Sequence, residues 1–431
     1  MPYRTIPNSN VTYSLIAFDA RGRERKDDPH GIGGIMSARI IQDAQASPPS
    51  HIFFFSHGWK GDVPAAIDQY NRWIKAMIDL PEDSAAMGPG FKPLWIGLHW
   101  PSQPWGDDEL GANSFEASSV SSNELVERYV SRLGGDPEEV RKLLQVIFHE
   151  NDINAGAIEL PAHVVEAYNR LADAIGRTSA GPEAAPGNDD APFDAVAAFD
   201  AANEAGDAFG GLSLGGLLGP LRQLSFWTMK SRARTVGEGG MHSFIAALQQ
   251  SLPVARFHLM GHSFGCIVVS SILGGPGGKS SLPRAVDSAV LVQGAVSLWA
   301  YADSILGTAK TGYFNSAIKR GGVRGPIITT LSRHDTAIGV IYPVAAGLSG
   351  QVDFAAALPR FGGIGAYGLQ GLGGVNAIKM LPHTGDYDFV PGGIYNMESS
   401  EFIRKGDGAS GAHSDIDGPE VAHAIWQAAR A

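Results

Sequence analysis

The sequence predicts an α/β fold: a mostly parallel central sheet flanked by helices, with one large helical insertion. Three observations predict it. Short apolar runs recur at residues 52–55, 94–100 and 257–260 and lack the polar alternation of a half-exposed strand, as expected of strands covered on both faces. An amphipathic helical pattern separates the first two, and strand, helix, strand implies a right-handed crossover between parallel strands. The alternation stops after residue 102 and returns near Phe244, and residues 103–235 hold helical patterns but no strand pattern.

Residues 11–20 read as the first strand and the charged residues 21–30 as an exposed turn. Residues 36–43 fit a short strand or a helix equally well. Residues 63–80 place Ile67, Tyr70, Ile74 and Met77 at helical spacing, with Pro64 in the first turn. After the strand at 94–100, residues 125–133, 137–149 and 160–175 read as helices. Residues 179–206 are rich in Ala, Pro, Gly and Asp and read as a flexible linker with room for one short helix. Residues 229–234 carry Lys230, Arg232 and Arg234 and read as a solvated helix start. A block this long is not a loop inside a compact domain. The chain therefore divides into a core, residues 1–102 and 236–431, and a helical cap or lid, residues 103–235. In the second half of the core, 244–252 read as a helix and 289–295, 325–332 and 394–403 as strands. Residues 339–378 read as irregular, and 420–429 as a terminal helix with Asp417 as its N-cap.

Composition narrows the function. With 33 Lys and Arg against 44 Asp and Glu, the chain carries a formal charge of −11, which argues against a nucleic-acid or anionic-membrane surface. The single cysteine, Cys266, excludes an intrachain disulfide and reads as a small buried residue. The N-terminus has no apolar segment before a cleavage pattern, so a cytoplasmic protein is expected. The uncharged stretch 361–378 is too interrupted by glycine to read as an integral membrane segment. No His, Cys, Asp or Glu spacing suits a metal, and no G-x-G-x-x-G opens a helix after a strand, so no metal and no cofactor are expected.

The chemistry concentrates at Gly261-His262-Ser263-Phe264-Gly265, a G-x-S-x-G turn between the strand ending at Met260 and a buried helix. Such a turn exposes the Ser263 hydroxyl at a sheet edge and aims the Phe264 N–H, at a helix N-terminus, at a developing oxyanion. A serine needs a base, and the base needs a carboxylate to hold its tautomer. His413 lies in a loop after the last strand; its rivals are His383, before that strand, and His423, inside the terminal helix. Asp335 follows the strand at 325–332, whereas Asp287 precedes its strand and so sits at the wrong edge. The expected catalytic set is Ser263, Asp335 and His413. His57, His262 and His334 read as packing or hydrogen-bonding residues. Leu214 and Leu217, with residues 361–375, are expected to line a substrate pocket.

That chain order, with the elbow in an alternating α/β pattern, resembles the α/β-hydrolase family over residues 50–104 and about 240–431. Ser56-His57-Gly58-Trp59 looks like the family's His-Gly oxyanion motif, and Leu98-His99-Trp100-Pro101-Ser102 looks like a strand end found in some uncharacterised bacterial members. The resemblance implies an α/β-hydrolase fold with a cap and an oxyanion hole made by the Trp59 and Phe264 N–H groups. It also implies a serine esterase or lipase-like carboxylic ester hydrolase acting on a small-molecule acyl ester. Amide, thioester or acyl-transfer chemistry would share the acyl-enzyme, and a non-catalytic binding module would keep the fold.

Overall fold

His51–Ser56 lies inside a sheet with a neighbour on each side, which is why Ile52, Phe53, Phe54 and Phe55 are all fully buried. The computed structural model describes residues 3–59, 63–102, 121–154, 156–204, 216–341, 358–406 and 410–431. Among these the strands are β1 (Tyr3–Thr5), β2 (Thr12–Ala17), β3 (His51–Ser56), β4 (Pro93–His99), β5 (Arg256–His262), β6 (Ser288–Val292), β7 (Ile327–Leu331), β8 (Val375–Lys379) and β9 (Ile394–Glu398). They form one nine-stranded sheet in the order β1-β2-β4-β3-β5-β6-β7-β9-β8. Only the β1–β2 pairing is antiparallel. The protein is of the α/β class.

Successive strand residues point to opposite faces. Ile52 and Phe54 join one apolar core, and Phe53 and Phe55 the other. The second core is covered by helices Val63–Ile78 and Pro419–Arg430, which contribute Trp73 and Trp426. The first is covered by Met36–Ala46, His242–Ser251 and the elbow helix Gly265–Gly274. Val126, Leu144, Tyr168 and Leu224, from four helices of the insertion, belong to that same core. Two of these helices begin where the sequence signals it. The Ser121 hydroxyl accepts from Glu124 N at 3.3 Å, and Asp136 accepts from Glu139 N at 2.9 Å with Pro137 in the first turn.

Several expectations need correction. Residues 36–43 belong to a helix, Met36–Ala46. The stretch 339–378 is not wholly irregular: it supplies β8, an edge strand whose polar positions face outward. Asp417 does not cap the terminal helix; Gly418 holds that place and Asp417 pairs with Arg72 at 2.6 Å. The cap boundary after residue 235 falls inside a continuous helix, Gly219–Val236. Lys230 on that helix is not solvated but fully buried. It pairs with Asp189 at 2.6 Å and Asp190 at 3.1 Å. Arg177, 3.8 Å from Asp190, stacks 3.4 Å from the Trp227 ring centre. These contacts tie the linker-like residues around 187–191 to the helix. A buried charge is tolerable only when paired, so composition alone misread this segment as free. No described helix is long and apolar enough to cross a membrane.

Candidate active site

β5 ends at His262, and the chain turns at Ser263 with φ of +56°, in the left-handed region. A side-chain-bearing residue held there stores about 1–3 kcal/mol of strain. The surroundings enforce it. Ser263 N donates to Val292 O at 3.2 Å, and Ser263 O accepts from Cys266 N at 3.0 Å and Ala295 N at 3.1 Å. The flanking glycines are required by close approach. A Cβ on Gly261 would lie 2.4 Å from Gly265 O, and one on Gly265 would lie 2.2 Å from Ser56 O. The elbow is thus pressed against the end of β3.

Asp335 follows β7 and is buried. Its Oδ2 accepts from His413 Nδ1 at 2.9 Å, and its Oδ1 accepts from Ile338 N at 3.0 Å. The bond fixes the proton on Nδ1 and leaves Nε2 with its lone pair, as a general base requires. Ser263 and His413 line one cavity and share no hydrogen bond; such contacts commonly tighten only with substrate. His262 links the elbow to the His413 loop. Its Nε2 donates to His413 O at 2.9 Å, and its Nδ1 accepts from Gln69 Nε2 at 3.3 Å. Burial, with the positive charge of protonated His413 as a lesser cause, holds His262 well below the usual histidine range.

The loop after β3 is equally fixed. His57 is buried, its ring lies parallel to that of Trp100, and its Nδ1 donates to Gly58 O at 2.8 Å. Its Nε2 accepts from Trp100 N at 3.3 Å, and its backbone N donates to the Tyr70 hydroxyl at 2.8 Å. Burial lowers its pKa to about 3, so the ring is neutral. A Cβ on Gly58 would sit 2.6 Å from Ser263 Cβ, so only glycine lets this loop close on the serine. Trp59 follows, with its ring 5.8 Å from that of Phe264. Phe264 is the N-cap of the elbow helix, where a backbone N–H has no intrahelical acceptor.

These residues surround a cavity of about 190 Å³ that contains Ser263, His413, Trp59 and Phe264 among its walls. Its apolar side is completed by Phe226 and Ile338. Phe226 comes from helix Gly219–Val236, so the insertion reaches the serine. Leu217 does not line this cavity. It is fully buried one turn away from the helix start, and its carbonyl accepts from the Tyr168 hydroxyl at 2.6 Å. Leu214 lies outside the described residues. No residue of 361–375 lines this cavity either; Gly365 instead packs on the backbone of Gln293.

The rivals are placed elsewhere. Asp287 sits at the start of β6 and accepts from Phe257 N at 2.8 Å, with Arg256 at 3.4 Å and Arg324 also on it. His423 is held by Asp83 at 2.7 Å and Gly385 O at 2.5 Å. His383 is 3.5 Å from Glu420, on a half-exposed side chain. One residue escaped the sequence reading. Gln293, just past β6 with φ of +45°, donates from Nε2 to Asp335 Oδ2 at 2.8 Å. A glutamine inside the apolar run 289–295 was the available signal. Among the described residues no group of three or more His, Cys, Asp or Glu is placed to hold a metal ion.

Comparison with known proteins finds no matching family model, no matching curated relative and no matching solved structure.

Proposed function

We propose that the protein is a serine hydrolase of the α/β-hydrolase type that cleaves carboxylic esters through an acyl-enzyme. The observation that carries this reading is the 2.9 Å bond from His413 Nδ1 to a buried Asp335, with His413 and the strained Ser263 walling one cavity. In this mechanism His413 Nε2 takes the Ser263 proton as Oγ bonds to the ester carbonyl carbon. The Trp59 and Phe264 N–H groups hold the resulting oxyanion. The C–O bond to the alcohol then breaks, and His413 gives its proton to the departing alcohol. Water, deprotonated by His413, attacks the acyl-serine and releases the acid. Helix Gly219–Val236 acts as the fixed part of a cap, with Phe226 as its contribution to the acyl wall.

A fluorophosphonate probe tests the nucleophile. Wild type is expected to be labelled and Ser263→Ala not, with ester turnover falling on the order of 10⁶-fold if the three residues act as a unit. Labelling that survives the substitution overturns the assignment. A panel of matched esters, amides and thioesters separates ester hydrolysis from the other acyl chemistries.

A further inference from the structure

The cavity at Ser263 has two unlike walls. One is aromatic. The rings of Trp59, Phe226 and Phe264 are in mutual contact, with centres 5.8 Å apart for Trp59 and Phe226, 5.8 Å for Trp59 and Phe264 and 5.1 Å for Phe226 and Phe264. The other wall is polar and surrounds His413. Ser410 and Ser414 flank that histidine on its own turn, where His413 N donates to Ser410 O at 3.3 Å. Gln69 reaches the same side from helix Val63–Ile78. Its Nε2 donates to His262 Nδ1 at 3.3 Å, and the His262 ring centre lies 4.8 Å from that of His413.

The polar wall has hydrogen-bonding capacity to spare. Ser410 Oγ, Ser414 Oγ and Gln69 Oε1 have no hydrogen-bond partner among the described residues. Nor does an Asp, Glu, Lys or Arg line the cavity among those residues, and burial keeps His262 uncharged at neutral pH. A charged ligand would enter without a counter-charge, which is costly, so the walls suit an uncharged one.

The chemistry sets which end of an ester meets which wall. His413 gives its proton to the departing alcohol, so the alcohol oxygen lies at His413 Nε2 and the rest of the alcohol lies along Ser410, Ser414 and Gln69. The carbonyl oxygen faces the Trp59 and Phe264 N–H groups. The acyl chain is left the aromatic wall. A volume of about 190 Å³ is below the roughly 300–1,000 Å³ of sites that enclose a drug-sized ligand, so the acyl chain it accepts is short.

We propose that the substrate is a small uncharged ester with a short apolar acyl group and an alcohol that carries a further hydroxyl, recognised by Ser410, Ser414 and Gln69. This rests on the ester-cleaving reading above and adds which alcohol is released. Ser263 Oγ bonds to the acyl carbon, the ester C–O bond breaks, and the diol or polyol leaves with the proton from His413.

A matched pair of esters tests this: 2-hydroxyethyl butyrate and propyl butyrate, in which a hydroxyl replaces a methyl group. In wild type, kcat/KM is expected to be roughly tenfold higher for the hydroxylated ester, the scale of one or two neutral hydrogen bonds. That ratio should fall toward one in the double variant Ser410→Ala, Ser414→Ala, and a ratio does not depend on how much of a variant is folded. Propyl butyrate is expected to be cleaved faster than propyl decanoate. Fluorophosphonate labelling of Ser263 is read beside the kinetics. Labelling with a wild-type ratio at or below one overturns this inference and leaves the hydrolase reading standing. So does a ratio that the double variant leaves unchanged, or a preference for the decanoate. Absence of both labelling and turnover of every ester overturns the two together.

Discussion

Gln293 donates a 2.8 Å hydrogen bond to Oδ2 of Asp335, the same oxygen that accepts from His413 at 2.9 Å. The glutamine is itself pinned: its N donates to the Thr330 hydroxyl, and that hydroxyl donates back to Gln293 Oε1, both at 2.9 Å. Strands β6 and β7 thereby hold the carboxylate jointly. In the proposed mechanism Gln293 would be a positioning residue, acting through Asp335. Gln293→Leu is expected to lower kcat about tenfold, the scale of one lost hydrogen bond to a charged group. Gln293→Glu places a second negative charge beside Asp335 and favours the protonated imidazole of His413. The acid limb of the kcat/KM profile should therefore move to higher pH, by about one unit. A purely structural role would lower folded yield and leave that limb in place.

Asp335 and Asp287 are both buried carboxylates near a strand end, and they are expected to fail differently. Asp335→Asn should cut kcat on the order of 10⁴-fold by imposing the wrong tautomer on His413. Asp287→Asn should leave kcat within about twofold and lower stability by roughly 2 kcal/mol, because it breaks charged hydrogen bonds to partly exposed arginines. Steady-state kinetics beside urea unfolding separates the two.

Phe226 is the insertion's side chain at the cavity wall. Phe226→Ala is expected to raise the ratio of kcat/KM for long over short acyl esters, and Phe226→Trp to lower it. Leu217→Trp should instead destabilise the fold, since Leu217 has no exposed surface and overpacking costs about 1–3 kcal/mol.

Three fully buried histidines, His57, His258 and His262, are held below the ordinary histidine value, chiefly by burial. On unfolding each regains that value and takes up a proton below about pH 6.5. Their stabilising contribution is complete above that pH and is lost as pH falls toward their folded values. Asp190 acts in the opposite sense. Burial, the largest cause, raises it to about 6, so its folded form binds the proton more tightly and stability falls as pH rises through that value. Each group contributes a slope of up to about 1.4 kcal/mol per pH unit. Three histidines outweigh one aspartate, so the melting temperature should fall from pH 6.5 to pH 4.5. Asp190→Asn should steepen that fall, which thermal melts across the range will show.

The mostly parallel sheet, the turn at Ser263 and the pairing of Asp335 with His413 near it were legible because each leaves a local mark: a run of β-forming apolar residues, a glycine pair, a polar residue just past a strand. What was not legible depends on distant partners. Lys230 looks like a surface lysine until Asp189 and Asp190, some forty positions away, are seen against it. Asp417 looks like a cap until Arg72 claims it. β8 hides because Val375–Lys379 is short and half polar, and pairing with β9 makes it a strand. Leu217 and Leu214 were chosen because their segment is apolar, uncharged and glycine-rich, which does not distinguish a pocket wall from a core.

The pairing of β3 with β5 joins His51 to Arg256. During synthesis β1 to β4 emerge first, and the aromatic strand Ile52–Phe55 then waits beside an unpaired backbone edge while the chain from His99 to Arg256, roughly 160 residues, is made. An open edge of that composition is a template for association with other chains. Closing so long a loop costs only a few kcal/mol, because the entropy grows with the logarithm of its length. The burden is therefore one of time rather than of final stability. Truncated chains ending before β5 should aggregate, and charged substitutions on β3 should not rescue them without also unfolding the finished sheet.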